Sequence, residues 1–249
     1  MLAFVGAVLT PAGSIEDVNA ATEPVPCFTI GAGYAVYRGR TTDSGIHRHA
    51  AFQIAIAVQG EVAMVDASAT HHRAVALVVA PMARHRMLAA ASLLTFFVEP
   101  HSVFADRLRK RYADGITAAP ELYDLREKDV GPASVCPSSE LDPRLMEAMN
   151  TLRDRSVSMP SLAATVGLSP QRLRTLAQHQ LGMPLTRWRV WARLGRAAEA
   201  LRAGQPPADA AITAGFADQA HLTRRMREMV GLTPAAVLPM LRDHSRRAT

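Results

Sequence analysis

Residues 165–169, Thr-Val-Gly-Leu-Ser, recur as residues 213–218, Thr-Ala-Gly-Phe-Ala-Asp, at an offset of 48 residues measured on the glycine. The correspondence continues downstream, where Leu173 matches Leu222 at an offset of 49, so the second copy has one extra residue in its turn. A repeat of roughly fifty residues indicates two copies of one supersecondary unit. The C-terminal part of the chain is therefore expected to contain the same helical unit twice.

Each copy has the residues that a helix-turn-helix requires. In the first copy, Gly167 supplies the positive φ of a tight turn, Ser169 is a natural N-cap, and Pro170 suits the first helical position. In the second copy, Gly215 and Asp218 take the roles of turn glycine and N-cap. In this motif the second helix enters the major groove of DNA.

The side chains opposite the apolar face of each second helix are mostly amides and arginines. Amide and guanidinium groups at the start of such a helix can pair with adenine and guanine edges. The sequence predicts DNA contacts from these polar positions: Gln171, Arg172, Arg174, Thr175, Gln219, His221, Thr223, Arg224 and Arg227.

The charge of the chain supports the same interpretation. Residues 150–249 contain 15 arginines and 6 acidic residues, a formal charge of +9, whereas the whole chain carries +6. Arginine makes forked hydrogen bonds to phosphates and guanine edges. A solvated basic surface from an arginine-rich genome is the alternative explanation of the charge alone.

A spacer joins the two copies. Thr186–Ala203 is predicted to be an amphipathic helix, with Trp188 and Trp191 expected in the core. Eighteen residues span roughly 27 Å. With the thickness of the flanking units added, two recognition helices can reach successive major grooves about 34 Å apart.

The first hundred residues have a different pattern. Runs of strand length, apolar or alternating, are separated by Gly, Asp, Ser and Pro, which indicates a β-sandwich or small barrel. A helix is predicted at Val103–Ala113 and a linker at 131–140, so we expect domains at 1–130 and 141–249. The predicted strands are Phe28–Arg38, Phe52–Val58, Glu61–Ala67, Ala74–Ala80 and Leu93–Glu99.

A group of histidines lies in this β region. His47, His49 and Gln53 share one face of a strand because their spacings are even, and His85 from another strand can complete the set. The group is predicted to line an effector pocket. A divalent metal held by the three histidines is the alternative, and because a neutral amide is a poor metal ligand we expect no cofactor.

The repeat region resembles the AraC/XylS family of bacterial regulators. Residues 215–234, GFADQAHLTRRMREMVGLTP, resemble the family signature, and Leu194–Leu201 resembles its linker helix. The resemblance implies that one chain binds DNA with two recognition helices. It places base contacts chiefly at Gln171, Arg174 and Thr175 in the first helix, and at Gln219 and Arg224 in the second.

The histidine region resembles the cupin motifs. Gly45–His49, with Gln53 and Gly60, is similar in spacing to the first motif, and Pro81–His85 is more loosely similar to the second. The resemblance implies a double-stranded β-helix, or jelly-roll barrel, for the N-terminal domain. Gln53 departs from the pattern, because cupin enzymes usually have glutamate at this position.

Together these patterns predict a transcriptional regulator that is not an enzyme. Its expected partners are a double-stranded DNA operator, a small-molecule effector bound in the barrel, and RNA polymerase if it acts as an activator. A homodimer is expected, with Phe104, Leu108 and Tyr112 as a possible contact. The alternatives are a metal-dependent cupin oxygenase or isomerase carrying a DNA-binding tail, and a barrel that serves only for dimerisation.

The cellular location is predicted to be the cytoplasm. Only Cys27 and Cys136 are present, too few to staple a secreted fold. The apolar run Met1–Leu9 is too short for a membrane span and lacks the positive charge of a secretory signal.

Overall fold

The computed structural model describes residues 26–242, so Met1–Leu9 lies outside the described residues. The N-terminal domain is rich in β-sheet and the C-terminal domain is helical. The strands are β1 (Cys27–Gly31), β2 (Tyr34–Thr41), β3 (Phe52–Ala57), β4 (Val62–Asp66), β5 (His71–Ala74), β6 (Ala76–Val79), β7 (His85–Met87), β8 (Ala90–Val98) and β9 (Ile116–Ala118). The helices are α1 (Val103–Arg111), α2 (Glu127–Val135), α3 (Pro143–Asp154), α4 (Met159–Thr165), α5 (Pro170–Leu181), α6 (Leu185–Arg202), α7 (Pro207–Thr213), α8 (Gln219–Val230) and α9 (Pro234–Arg242).

The strands form two antiparallel sheets. The larger has the order β1-β2-β8-β3-β6-β9 and the smaller the order β5-β4-β7. Strand β3 is buried on both faces, with Ile54 and Ile56 in one apolar cluster and Ala55 and Ala57 in another. The apolar run Ile54–Ala57 of β3 follows from this central position, and Gln53 is the one polar residue of the strand.

The prediction of one strand over Phe28–Arg38 is wrong. The segment is a hairpin, in which β1 pairs with β2 through partners such as Phe28 with Tyr37. The chain reverses at Gly33, whose φ of +76° lies in the left-handed region that glycine adopts without strain.

The predicted helix at Val103–Ala113 is present as α1, but its apolar side is not available for a dimer. Phe104, Leu108 and Tyr112 pack into the core of the N-terminal domain, and none is more than 7% exposed. The prediction that these side chains form a dimer contact is therefore wrong.

The segment predicted as a linker, 131–140, begins inside a helix. Val130 on α2 is fully buried against the core of the N-terminal domain. The backbone N–H of Val103 donates to the carbonyl of Cys136 at the end of this helix, which ties it to the start of α1.

The C-terminal domain contains two equivalent helix pairs. Helices α4 and α7 have 7 residues each, and α5 and α8 have 12 each. Each turn contains an equivalent hydrogen bond, since the N–H of Leu168 donates to the carbonyl of Ala163 and that of Phe216 to the carbonyl of Ala211, both at 2.9 Å. The second turn, 214–218, is one residue longer than the first, 166–169, as the sequence predicts. The turn glycines have φ values of +66° and +82°.

Helix α6 connects the pairs and forms the centre of this domain. Trp188 is fully buried, and its indole N–H donates to the carbonyl of Met149 at 3.0 Å. In the described residues, no helix is both long enough and apolar enough to cross a membrane.

Candidate DNA-binding surface and interdomain cavity

The second helix of each pair is capped at both ends. At the N-termini, Ser169 Oγ accepts from the N–H of Arg172 at 3.1 Å, and Asp218 Oδ1 accepts from that of His221 at 2.6 Å. At the C-termini, α5 and α8 end on left-handed glycines. The caps stabilise two short helices whose outer faces carry the predicted DNA contacts.

The outer face of α5 presents four predicted residues to solvent. Gln171, Arg172, Arg174 and Thr175 are all exposed. The Arg174 guanidinium donates to Gln171 Oε1 at 2.8 Å, which aligns the two groups side by side. The Thr175 hydroxyl donates to the carbonyl of Gln171 within the helix at 3.1 Å.

The outer face of α8 is less uniform than predicted. Gln219, Arg224 and Arg227 are exposed. His221 is half-buried, with its ring at 5.4 Å from the Phe216 ring in an edge-on arrangement. The hydroxyl of Thr223 donates to the Gln219 carbonyl at 2.9 Å. The exposed side chains among the predicted contacts on α8 are therefore the amide of Gln219 and the guanidinium groups of Arg224 and Arg227.

Arginines on and near α8 have different roles. Arg225 and Arg187 both pair with the carboxylate of Glu228, the former at 2.6 Å. Arg224 and Arg227 form no ion pair with any described residue. Their charges remain available for an external anion.

A cavity of about 720 Å³ lies between the two domains. The N-terminal domain contributes β-strand side chains such as Phe28 and Phe97, and the C-terminal domain contributes Trp191, Met226 and Val230. Ligand sites in proteins are commonly of this size, mostly apolar and located between domains.

A buried polar contact lies in the lining of this cavity. The carboxylate of Glu99, at the end of β8, accepts from Arg153 on α3 at 2.6 Å and from the indole N–H of Trp191 on α6 at 3.1 Å. Burial raises the pKa of Glu99, and the charge of Arg153 and the Trp191 hydrogen bond partly offset this effect. The domains are thus joined by one carboxyl group whose partners come from two helices.

His101 belongs to the same contact. Its Nε2 lies 2.8 Å from the Arg153 guanidinium, which can only donate, so the ring nitrogen accepts. Burial, followed by the charge of Arg153, lowers the pKa of His101 to about 3.

We expect this histidine to make the fold sensitive to acid. Because its pKa is depressed in the folded state, its contribution to stability is complete above about pH 6.5 and is lost as the pH falls toward about 3. His101→Gln removes that titration, so the free energy of unfolding of the wild type should fall by roughly 1 kcal/mol more than that of the variant between about pH 7 and pH 5.5. Urea unfolding at several pH values measures this, and parallel curves for the two proteins would contradict it.

The structure brings the predicted histidine group together. His47, His49, His85 and Gln53 are all buried, and Nε2 of both His49 and His85 lies 2.9 Å from Gln53 Oε1. Burial is the main cause that lowers the pKa of His47, that of His49 to about 4 and that of His85 to about 2. The imidazoles are therefore neutral near pH 7.

Sequence reasoning missed the contact around Glu99. Glu99, His101, Arg153 and Trp191 come from a strand end, a loop and two helices, and no local pattern joins them. The only available signal was a carboxylate placed directly after an apolar strand.

Two equivalent pairs of short helices, each with exposed arginines on its second helix, thus lie in the C-terminal domain. Residues 162–239 match the family described as "Helix-turn-helix domain". This domain is of the AraC type, and the chain is a DNA-binding transcriptional regulator. The resemblance found in the sequence is confirmed over these residues, and the comparisons give the enzyme alternative no support.

Two solved structures of ToxT share the arrangement of a sheet-rich domain followed by a helical one. ToxT from Vibrio cholerae O395 is 11% identical, with 85% of this chain and 99% of that chain covered at a TM-score of 0.56. ToxT from strain SCE256 with an unsaturated fatty acid bound is also 11% identical, covers 83% and 95%, and has a TM-score of 0.56. An AraC-type regulator from Chromobacterium violaceum is 23% identical, covers 41% and 94%, and has a TM-score of 0.39. No curated protein sequence matches this chain.

Proposed function

We propose that this chain is a sequence-specific regulator that binds two successive major grooves, and that a largely apolar effector in the interdomain cavity controls this binding. The observation that carries the proposal is the equivalence of the two capped helix pairs at either end of α6. Both pairs are proposed to be helix-turn-helix motifs, with the nine polar positions named above as the DNA-contacting set.

The dimensions of the C-terminal domain support this mode of binding. Helix α6 has 18 residues and is therefore roughly 27 Å long. Its ends carry the two units, and successive major grooves on one face of DNA are about 34 Å apart. Both recognition helices present arginine and glutamine, the side chains that pair with guanine and adenine edges.

Selection of duplexes from a random library, followed by footprinting, tests the DNA-binding half. Two protected segments about one helical turn apart on the same face of the duplex are expected, with an affinity that falls steeply as salt rises. A single protected segment would contradict the use of both units, and the absence of any sequence-selective binding would overturn the function.

The effector half of the proposal rests on the cavity. It is lined by aromatic and aliphatic side chains of both domains, so its occupant contacts both at once. A ligand can shift the equilibrium between two arrangements of the domains only if it binds one arrangement better than the other. A cavity that both domains line can meet this condition, because its lining depends on how the domains are arranged. ToxT, which has the same fold, holds an unsaturated fatty acid in one structure, and this supports an apolar ligand with a polar end.

Filling the cavity should abolish the response to such a ligand. We expect oleic acid, below its micelle concentration, to raise the melting temperature of the wild type, since a ligand at about 100 times its Kd adds about 2.7 kcal/mol. Ala198 lines the cavity, so Ala198→Phe should remove most of the rise. Ala203→Phe, at the exposed end of α6, is the control. Equal rises in melting temperature in all three proteins would show that the ligand binds outside the cavity.

Other parts of the proposal follow from the family and cupin resemblances. We retain a cupin-like barrel domain that begins before residue 130 and a DNA-binding domain at 141–249, and we extend the first domain to the end of α2 at Val135, so that the linker is 136–140. A homodimer, activation through RNA polymerase and a cytoplasmic location remain predictions.

A further inference from the structure

We propose that Arg48 and Arg84 of the N-terminal domain bind phosphates of the DNA backbone beside the major groove that α8 occupies, so that both domains hold the duplex. We call these two residues the basic rim. The inference rests on the proposed function, because it takes α8 as the second recognition helix. It adds a DNA contact that lies outside the helical domain.

The two arginines of the basic rim face each other across a pair of extended segments. His47 and His85 form an antiparallel bridge, in which each N–H donates to the carbonyl of the other residue, at 2.9 and 3.0 Å. The neighbouring residues Arg48 and Arg84 are therefore opposite each other, in the kind of pair whose side chains are closest. Side chains alternate between the two faces, and the two histidines are buried, so the arginines point outward. Their exposure agrees, since Arg48 is half-buried and Arg84 is exposed.

The basic rim has no acidic partner among the described residues. Neither guanidinium group forms an ion pair or a hydrogen bond with any of them. The carboxylates of the flanking segments are already engaged, since Glu228 pairs with Arg187 and Arg225, and Asp43 lies 3.7 Å from Arg86. Like charges that are directly opposite on paired strands destabilise the pair. An anion bound by both guanidinium groups would remove this repulsion.

The basic rim lies against the last turn of α8. The N–H of Arg48 donates to the carbonyl of Glu228 at 3.2 Å. A Cβ placed on Gly231, the residue that ends α8, would lie 2.9 Å from Nδ1 of His47. Arg227, the residue before Glu228, is exposed and forms no ion pair with a described residue. The basic rim therefore continues the arginine surface of α8 onto the N-terminal domain.

The backbone next to Arg84 is held in one conformation. Met82 has a φ of +67°, in the left-handed region that residues other than glycine rarely adopt. Its N–H donates to the carbonyl of His49 at 2.8 Å, and its side chain packs against the apolar cluster of the helical domain. A residue in such a conformation persists only where its surroundings fix it. Arg84 is thus presented from a support that is anchored on the DNA-binding domain.

Phosphate of the DNA backbone is the anion that suits this position. A guanidinium group donates forked hydrogen bonds to phosphate oxygens. A helix in the major groove has a row of phosphates on each side, and each strand carries one phosphate about every 3.4 Å along the axis. An extended segment at the end of α8 therefore lies beside one of these rows, where two adjacent arginines can bind neighbouring phosphates.

The full-length variant Arg48→Ala/Arg84→Ala tests this contact, by fluorescence anisotropy with the selected duplex at several salt concentrations. We expect Kd to rise roughly tenfold at about 0.1 M salt. The slope of log Kd against log salt should fall by about 2, because each phosphate contact contributes about 0.9. Discrimination among single-base variants of the duplex should be unchanged, since a phosphate contact carries no sequence information.

The matched control is Arg38→Ala/Arg73→Ala. It removes the same charge from exposed arginines on β2 and β5, and β5 is at the opposite edge of the smaller sheet from β7. Arg48→Lys/Arg84→Lys keeps the charge and should retain most of the salt slope. Arg84→Ala alone should lower the slope by about 1. Because the Arg84 side chain is exposed, this single variant decides the question if the double alanine variant fails to fold.

Three outcomes would overturn the basic rim and leave the proposed function intact. The first is a Kd and a salt slope equal to those of the wild type, and the second is an equal loss of affinity in the control variant. In the third, inorganic pyrophosphate raises the melting temperature of the wild type but not of the double alanine variant, while their Kd values for DNA are equal. The arginines then hold a small anion. A wild-type protein that selects no duplex refutes the proposed function, and this inference with it.

Discussion

Trp188→Ala is expected to lower the free energy of unfolding by about 3–5 kcal/mol, the usual effect of removing a large aromatic side chain from a core. Trp188 is fully buried at the centre of the helical domain. The loss of the ring leaves a cavity beneath α6. It also removes the indole N–H, which is the only side-chain group of the described residues that donates to the Met149 carbonyl. DNA binding should be lost with the fold, because α6 sets the distance between α5 and α8, the two proposed recognition helices.

Trp188→Phe is the matched control for this effect. Phenylalanine keeps most of the ring volume but cannot donate to Met149, so a smaller loss of about 1–3 kcal/mol is expected. Urea unfolding followed by far-ultraviolet circular dichroism gives both values. A loss below about 1 kcal/mol for the alanine variant would show that α6 is not the centre of the domain.

Arg224→Ala is expected to weaken binding to the selected duplex by about 1–3 kcal/mol, which is roughly 5- to 150-fold in Kd. Arg224 is exposed on α8 and forms no ion pair with a described residue, so its guanidinium is free to pair with a base. The variant should also lose discrimination at one base pair, since a base contact specifies sequence whereas a phosphate contact does not.

Arg225→Ala is the control for the lost charge. It removes the same charge from the same helix, but its guanidinium is bonded to Glu228 within the protein. Fluorescence anisotropy with the selected duplex and its single-base variants measures both effects. If Arg224→Ala and Arg225→Ala weaken all duplexes equally, Arg224 contributes only charge and the base contact is disproved.

The parts of the fold that were predicted from sequence depend on local signals. Gly167 and Ser169 act within a few residues, so the helix pair that they delimit could be recognised directly, and the same holds for the second copy. The hairpin at Gly33 could not, because the apolar alternation continues on both sides of the turn and resembles a single long strand. Strands as short as β7 (His85–Met87) have too few residues to show any alternation.

The candidate sites show the same limit. Even spacing identified His47, His49 and Gln53, which lie on one segment, and the resemblance to cupins added His85. Nothing in the sequence joins Glu99 to Arg153, which are 54 residues apart and meet only when α3 packs against the end of β8. The half-buried position of His221 was also hidden, since it depends on the ring of Phe216 in the preceding turn.

The two faces of α6 have a practical consequence for engineering. One face contains Trp188 and belongs to the helical core, while the other contains Trp191 and forms a wall of the interdomain cavity. A chimera that grafts residues 26–135 onto the DNA-binding domain of another regulator would leave behind the side chains that α6 and the other helices contribute to the cavity. For such a chimera to respond to the same effector, the α6 side chains that face the cavity would have to be transferred as well.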